Sequence, residues 1–224
     1  MVRTILGGSM ILAILVLGWP RPILAESLKK RHRLEIRIGW NQGGRNAEPE
    51  QSGLVGIRTN VESGNILGAV SYWHWAQENL AFGLSVSALS SGVSTTVGPL
   101  GVSDDITAVV SIFLGARYYF GQPSVGETFR PFLTAGVGPY VGSGVVNRAG
   151  FQIASEVKTL GSFGGHLGAG MDIPVSRHFM LGANAGYNLM ADFSEQLGDR
   201  RNFSGFEVGI GLSWVFGKGV KSGS

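Results

Sequence analysis

Cysteine is absent from all 224 residues, which excludes a disulfide framework and any Cys-ligated zinc or iron–sulfur centre. Lysine is nearly absent from the body of the chain, where Lys158 stands alone between residues 34 and 217. No long apolar run follows residue 25, so a helical membrane protein is excluded as well. A basic groove is also missing, despite a pI near 9.4. Lys29, Lys30, Arg31 and Arg33 precede the first alternating segment and Lys218 and Lys221 follow the last; between 34 and 217, 10 bases face 14 acids. Such a body cannot neutralise a run of phosphates, and nucleic acid is not an expected partner.

Glycine is abundant instead, at 36 residues, with 44% hydrophobic residues. No Gly-X-Y period accompanies it, and the apolar content is too high for disorder. Arg3, the apolar run Met10 to Trp19 and Ile23-Leu24-Ala25 ahead of Glu26 have the form of a secretory signal peptide over 1–25. The remainder divides into a basic periplasmic segment (26–32), one β domain (33–217) and a short tail (218–224).

Period-two alternation dominates that domain. Leu34, Ile36, Ile38 and Trp40 alternate with Glu35, Arg37, Gly39 and Asn41, and Phe206, Val208, Ile210, Leu212, Trp214 and Phe216 alternate with Glu207, Gly209, Gly211, Ser213 and Val215. Similar segments near 65–76, 80–89, 106–120, 129–142, 158–173 and 178–191 make eight predicted strands. The joins at 77–79, 121–128 and 174–177 are short and rich in turn residues, whereas those at 43–64, 90–105, 143–157 and 192–204 are longer on average. The longest contains Leu54 to Val61, which could add a hairpin. Short turns at one end and long loops at the other describe an up-and-down meander in an outer membrane, with both termini in the periplasm.

A soluble meander would carry many Lys and Glu side chains on its polar face. Here that face is mostly Gly, Ser and Asn, small enough for the lumen of a narrow barrel. Aromatic residues mark both ends of the strands. Trp73, Trp75, Tyr118, Phe120, Phe132, Phe179, Trp214 and Phe216 fall toward the short turns, and Trp40, Tyr140, Tyr187 and Phe206 toward the long loops. The pairs Phe132/Tyr140, Phe179/Tyr187 and Phe206/Trp214 are spaced so that each climbs roughly 20 Å on one face, which predicts two aromatic girdles about an apolar band.

With its leader, eight alternating strands, alternating short and long joins and a last strand reading Gly209 to Phe216, the chain resembles the small outer-membrane β-barrels. These include the opacity-type surface antigens and the transmembrane domain of OmpA-like proteins. The resemblance covers about 33–217. It implies an all-β, eight-stranded antiparallel up-and-down transmembrane barrel in the outer membrane, in contact with membrane lipid and lipopolysaccharide. It also implies an assembly signal read by the barrel-assembly machinery, matched here by Gly211, Trp214 and Phe216.

Barrels of this size include lipid A-modifying enzymes that use a His-x-Ser pair. His32, His74, His166 and His178 each lack Ser two residues on, so no catalytic residue, metal or cofactor is expected. Asp104-Asp105 reads as a solvated loop pair. Glu35, Arg37, Arg117, His166, Asp172, Asn184 and Glu207 all fall on the lumen face by alternation, where ionisable groups should pair. Closure makes the first and last strands neighbours, which brings Glu207 within reach of Arg37. That set reads either as a salt-bridged plug or as a gate. The expected role is structural or adhesive, through outer loops that meet an extracellular partner. The alternatives are a narrow, porin-like conduit for small or hydrophobic ligands and, third, a lipid-modifying enzyme.

Overall fold

A computed structural model describes residues 28–43, 57–60, 65–98, 101–120, 129–149, 154–197 and 200–218. The predicted leader and all but Lys218 of the tail lie outside them. Nine strands are present among the described residues: β1 (His32–Gly43), β2 (Ile57–Asn60), β3 (Asn65–Trp75), β4 (Leu80–Gly98), β5 (Gly101–Tyr119), β6 (Arg130–Ala149), β7 (Ala154–Pro174), β8 (Phe179–Met190) and β9 (Gly205–Phe216). All but β2 belong to the barrel. Each pairs antiparallel with its chain neighbours, and β1 pairs with β9 from His32↔Phe216 to Gly43↔Gly205, which closes the sheet.

Closure follows from alternation. Along β9 the even-numbered residues Val208, Ile210, Leu212 and Trp214 point out and are exposed, while Glu207, Ser213 and Val215 are buried inside. The outside is apolar to a degree that water would not support: Ile38 is 62% exposed, Ile210 64% and Leu114 69%. Hydrocarbon is the solvent that fits, and a closed barrel leaves no unpaired sheet edge within it.

Two expected loops are strands. Within 90–105 and 143–157, residues 90–98 belong to β4, 101–105 to β5, 143–149 to β6 and 154–157 to β7, with Asp104 and Asp105 lying within β5 opposite Thr95 and Ser94. Beyond the lipid neither face needs to be apolar, so the Ser/Thr/Val stretch Ser94 to Val97 keeps its β character without the alternation that marks a buried strand. Ile57–Asn60, inside the segment suspected of adding a hairpin, pairs with β4 at Val97 to Ser94. The rest of that segment lies outside the described residues. At the opposite end, where β1 starts and β9 ends, the connection between β7 and β8 is tight: Ser176 Oγ accepts the amides of His178 (3.2 Å) and Phe179 (3.1 Å).

Candidate functional site: the sealed lumen

All seven polar residues assigned to the lumen by alternation point inward, and they divide into two groups. In the lower group, nearer the termini, Glu35 Oε2 accepts from Arg117 Nη1 (3.0 Å) and lies 3.0 Å from Arg33 Nη2. Asp172, with no exposed surface, takes both terminal nitrogens of Arg33 and the hydroxyl of Tyr119 (2.8 Å). Two cations thus face two carboxylates, with the Tyr119 hydroxyl as a further donor to Asp172. Pairing each charge with an opposite one is what a water-poor interior requires.

The upper group is built on the seam. Arg37 Nη2 lies 3.3 Å from Glu207 Oε1, joining β1 to β9. Asn188 Nδ2 donates to Glu207 Oε2 (2.7 Å), and its Oδ1 faces His166 Nδ1 at 3.2 Å. Oriented as its neighbours require, the Asn184 amide accepts from Arg37 Nη1 (2.7 Å) and donates to the Gly209 carbonyl (3.2 Å). Between the two groups is a cavity of about 30 Å³ lined by Arg37, Arg117, His166, Asn188 and Glu207, room for roughly two water molecules.

Arg33 and Tyr119 were missed by sequence reasoning. By sequence Arg33 reads as one of the bases ahead of the first alternating segment, but β1 begins at His32, and Arg33 is wholly buried. Lys29 and Lys30 are exposed, whereas Leu28 and Arg31 of the same segment are buried.

Four of the predicted girdle residues face the wrong way for a girdle. Trp73, Trp75, Phe132 and Tyr140 are buried in the lumen, whereas Trp40, Tyr118, Phe120, Phe179, Tyr187, Phe206 and Trp214 are exposed outside and Phe216 is half-buried. The eight-residue spacing of Phe132 and Tyr140 does keep them on one face, but that face is the inner one. The physical reason is glycine. Register sets Trp73 opposite Gly83 and Phe132 opposite Gly170. A Cβ on Gly83 would lie 2.6 Å from Trp73, one on Gly170 2.9 Å from Phe132 Cε2, and one on Gly164 2.7 Å from Tyr140. Trp73, Phe132 and Tyr140 each occupy the space that a missing side chain leaves, and Trp75 faces the small Ala81.

These rings also hold charge. The Arg117 guanidinium sits between Trp73 (4.4 Å to the ring centre) and Phe132 (4.2 Å), a two-sided cation–π contact that supports it where water is scarce. Below it, Leu28, Trp75, Tyr119, Met180 and Val215 close the inner mouth.

The outer half of the lumen is largely apolar. Leu67, Leu89, Val109, Phe113, Tyr140 and Met190 line it, and Phe193, Leu197 and Phe203 descend into it from the segment after β8. Phe193 N donates to Arg201 O (2.8 Å) and Leu197 N to Arg200 O (2.8 Å), so the segment folds back on itself as a strap. Arg200 Nη1 ties it to the Gly43 carbonyl on β1 (2.8 Å) and the Lys158 ammonium pairs with Glu195, tying it to β7. Gly142 on β6 provides its seat, since a Cβ there would lie 2.9 Å from Phe193 Cζ and closer still to Leu197.

Of the assembly-signal residues, Gly211 is on the inner face of β9, and Trp214 and Phe216 are on the outer face with ring centres 4.9 Å apart.

No family model matches the chain, and a search of curated proteins gives no match. Solved structures do resemble it. The Yersinia pestis attachment invasion locus protein Ail superposes with a TM-score of 0.50 at 14% identity, over 84% of this chain and 99% of that one. A second structure of Ail, in complex with the heparin analogue sucrose octasulfate, gives 0.50 at 13% identity over the same shares. Neisserial surface protein A gives 0.52 at 14% identity, over 83% and 97%. The closed antiparallel sheet, its lipid-facing belt and these likenesses agree: the chain is an eight-stranded transmembrane β-barrel with the fold of the small outer-membrane proteins.

Proposed function

We propose that this barrel is a closed platform that acts at the cell surface through its outer strands and loops. The observation that carries this reading is the double closure of the lumen. A partnered charge cluster and an apolar floor fill the inner half, and the strap fills the outer half. Two cavities lined by described residues between these seals, of about 30 and 20 Å³, suit isolated waters rather than a solute path. On this reading the lumen network is a plug rather than a gate, and the barrel is not an enzyme.

The extensions of β4–β5 and β6–β7, with β2 added beside β4, form a sheet that rises beyond the apolar belt. This is the surface offered to an extracellular partner, a role that loops on a rigid scaffold commonly fill. Membrane lipid and lipopolysaccharide contact the belt, and Trp214 and Phe216 serve as the signal for the assembly machinery. The test is to replace residues 92–103 and 146–156 with tight turns and to compare adhesion of cells displaying each form to host-cell and matrix surfaces. Adhesion should fall while the barrel still folds; unchanged adhesion would refute the surface role.

A further inference from the structure

Four rings form a row on the outside of the barrel at its inner rim. Register pairs Phe82 with His74, His74 with His32, and His32 with Phe216. An anchoring girdle is served by Phe, Tyr and Trp, yet the centre of this row is two imidazoles, widely separated in sequence and made adjacent by the β1–β3 pairing. Their ring centres are 4.8 Å apart with planes inclined at 36°. His32 is held from both sides, stacked on Phe216 (5.6 Å) and on Tyr72 (5.8 Å). Its Nδ1 is 2.5 Å from the Tyr72 hydroxyl. With Nδ1 donating there, the lone pair of Nε2 is left available. His74 Nδ1 is buried and has no hydrogen-bond partner among the described residues.

We propose that His32 and His74 together bind one divalent transition-metal ion of the zinc, nickel or copper class, with Tyr72 as the residue that orients His32. Imidazole suits these ions, and carboxylate-preferring ions such as magnesium and calcium are disfavoured by the absence of oxygen anions in the pair. Cross-strand neighbours on one face carry Cβ atoms about 4.5–5.5 Å apart, close enough for one nitrogen of each ring to reach about 2.0–2.1 Å from a shared ion. The bond from His32 Nδ1 to a hydroxyl is the outer-shell contact that fixes tautomer and ring orientation in histidine metal sites. The remaining coordination positions face outward, toward water or a lipid phosphate. Because the pair bridges β1 and β3, a bound ion also ties together two strands next to the closing seam.

The test is calorimetric titration of the refolded, untagged barrel in zwitterionic detergent with zinc chloride and, separately, nickel chloride. One ion per chain is expected. His32→Ala or His74→Ala should each weaken binding by about tenfold or more and the double variant should abolish it. Tyr72→Phe should weaken it by about tenfold, and His178→Ala, in the turn before β8, should leave it unchanged. Heat-modified gel migration and β-sheet circular dichroism confirm that each variant folds. Absence of one-site binding in the wild type, binding that survives the double variant, or binding lost with His178→Ala would each overturn the proposal.

Discussion

Arg33 on β1 and Asp172 on β7 meet across the lumen as a buried ion pair, with the Tyr119 hydroxyl bonded to both. Strands that are not neighbours in the sheet are thereby joined through the interior. Removing Asp172 leaves two buried cations, Arg33 and Arg117, to share the single carboxylate of Glu35. Asp172→Ala is therefore expected to lower stability by about 3–5 kcal/mol, and Arg33→Met with Asp172→Leu to lower it by less than the single change. Urea unfolding in detergent or vesicles, followed by tryptophan fluorescence, measures both.

The fit of inner rings to glycines gives a second prediction. A side chain at Gly170 would collide with Phe132, whereas a Cβ at Gly161 meets nothing within 4 Å. Gly170→Val should cost about 1–3 kcal/mol by overpacking, and Gly161→Ala should stay within about 0.5 kcal/mol of wild type. Equal losses in the same unfolding assay would contradict the pairing of rings with glycines.

What the sequence disclosed, and what it did not, follows from this packing. Alternation is a local signal, so Glu35, Arg117 and Glu207 could be placed on the inner face one strand at a time. The phase of β3 could not be read so easily. Ile66, Val70 and Tyr72 on one face and Leu67, Ala69 and Trp73 on the other are both largely apolar, and only the register with Gly83 shows which face is inside. Phe132 was misplaced for the same reason. Arg33 was missed because one residue of strand extension changed it from a terminal base into a core cation. The strap was illegible because Phe193, Leu197 and Phe203 follow no period, and their burial depends on a mouth built from distant strands. The His32–His74 pair likewise depends on register.

The inward and outward tryptophans should differ in their contact with lipid. Trp214 is 48% exposed on the outer wall, while Trp73 and Trp75 are 5% and 0% exposed. In variants that retain a single tryptophan, brominated lipid should quench Trp214 strongly and Trp73 or Trp75 weakly. The reverse order would return Trp73 to the girdle.

The strap is also expected to respond to acid. Its hydrogen bond with the Lys158 ammonium holds the Glu195 carboxyl below the usual carboxylate range. A depressed carboxyl contributes stability above its unfolded value and loses it as pH falls through the folded one. Protection of the Phe193 and Leu197 amides from hydrogen exchange should therefore weaken, modestly because the pair is exposed, as pH drops into the carboxylate range. Lys158→Met should remove that pH dependence.

Closure of the lumen is the central claim, and planar-bilayer conductance in potassium chloride tests it most directly. Wild-type barrel should insert without discrete channel steps, and so should Gly142→Leu, which displaces the strap but leaves the Arg33–Asp172 plug in place. Regular, reproducible steps from the wild-type protein would show a continuous aqueous path and contradict the account.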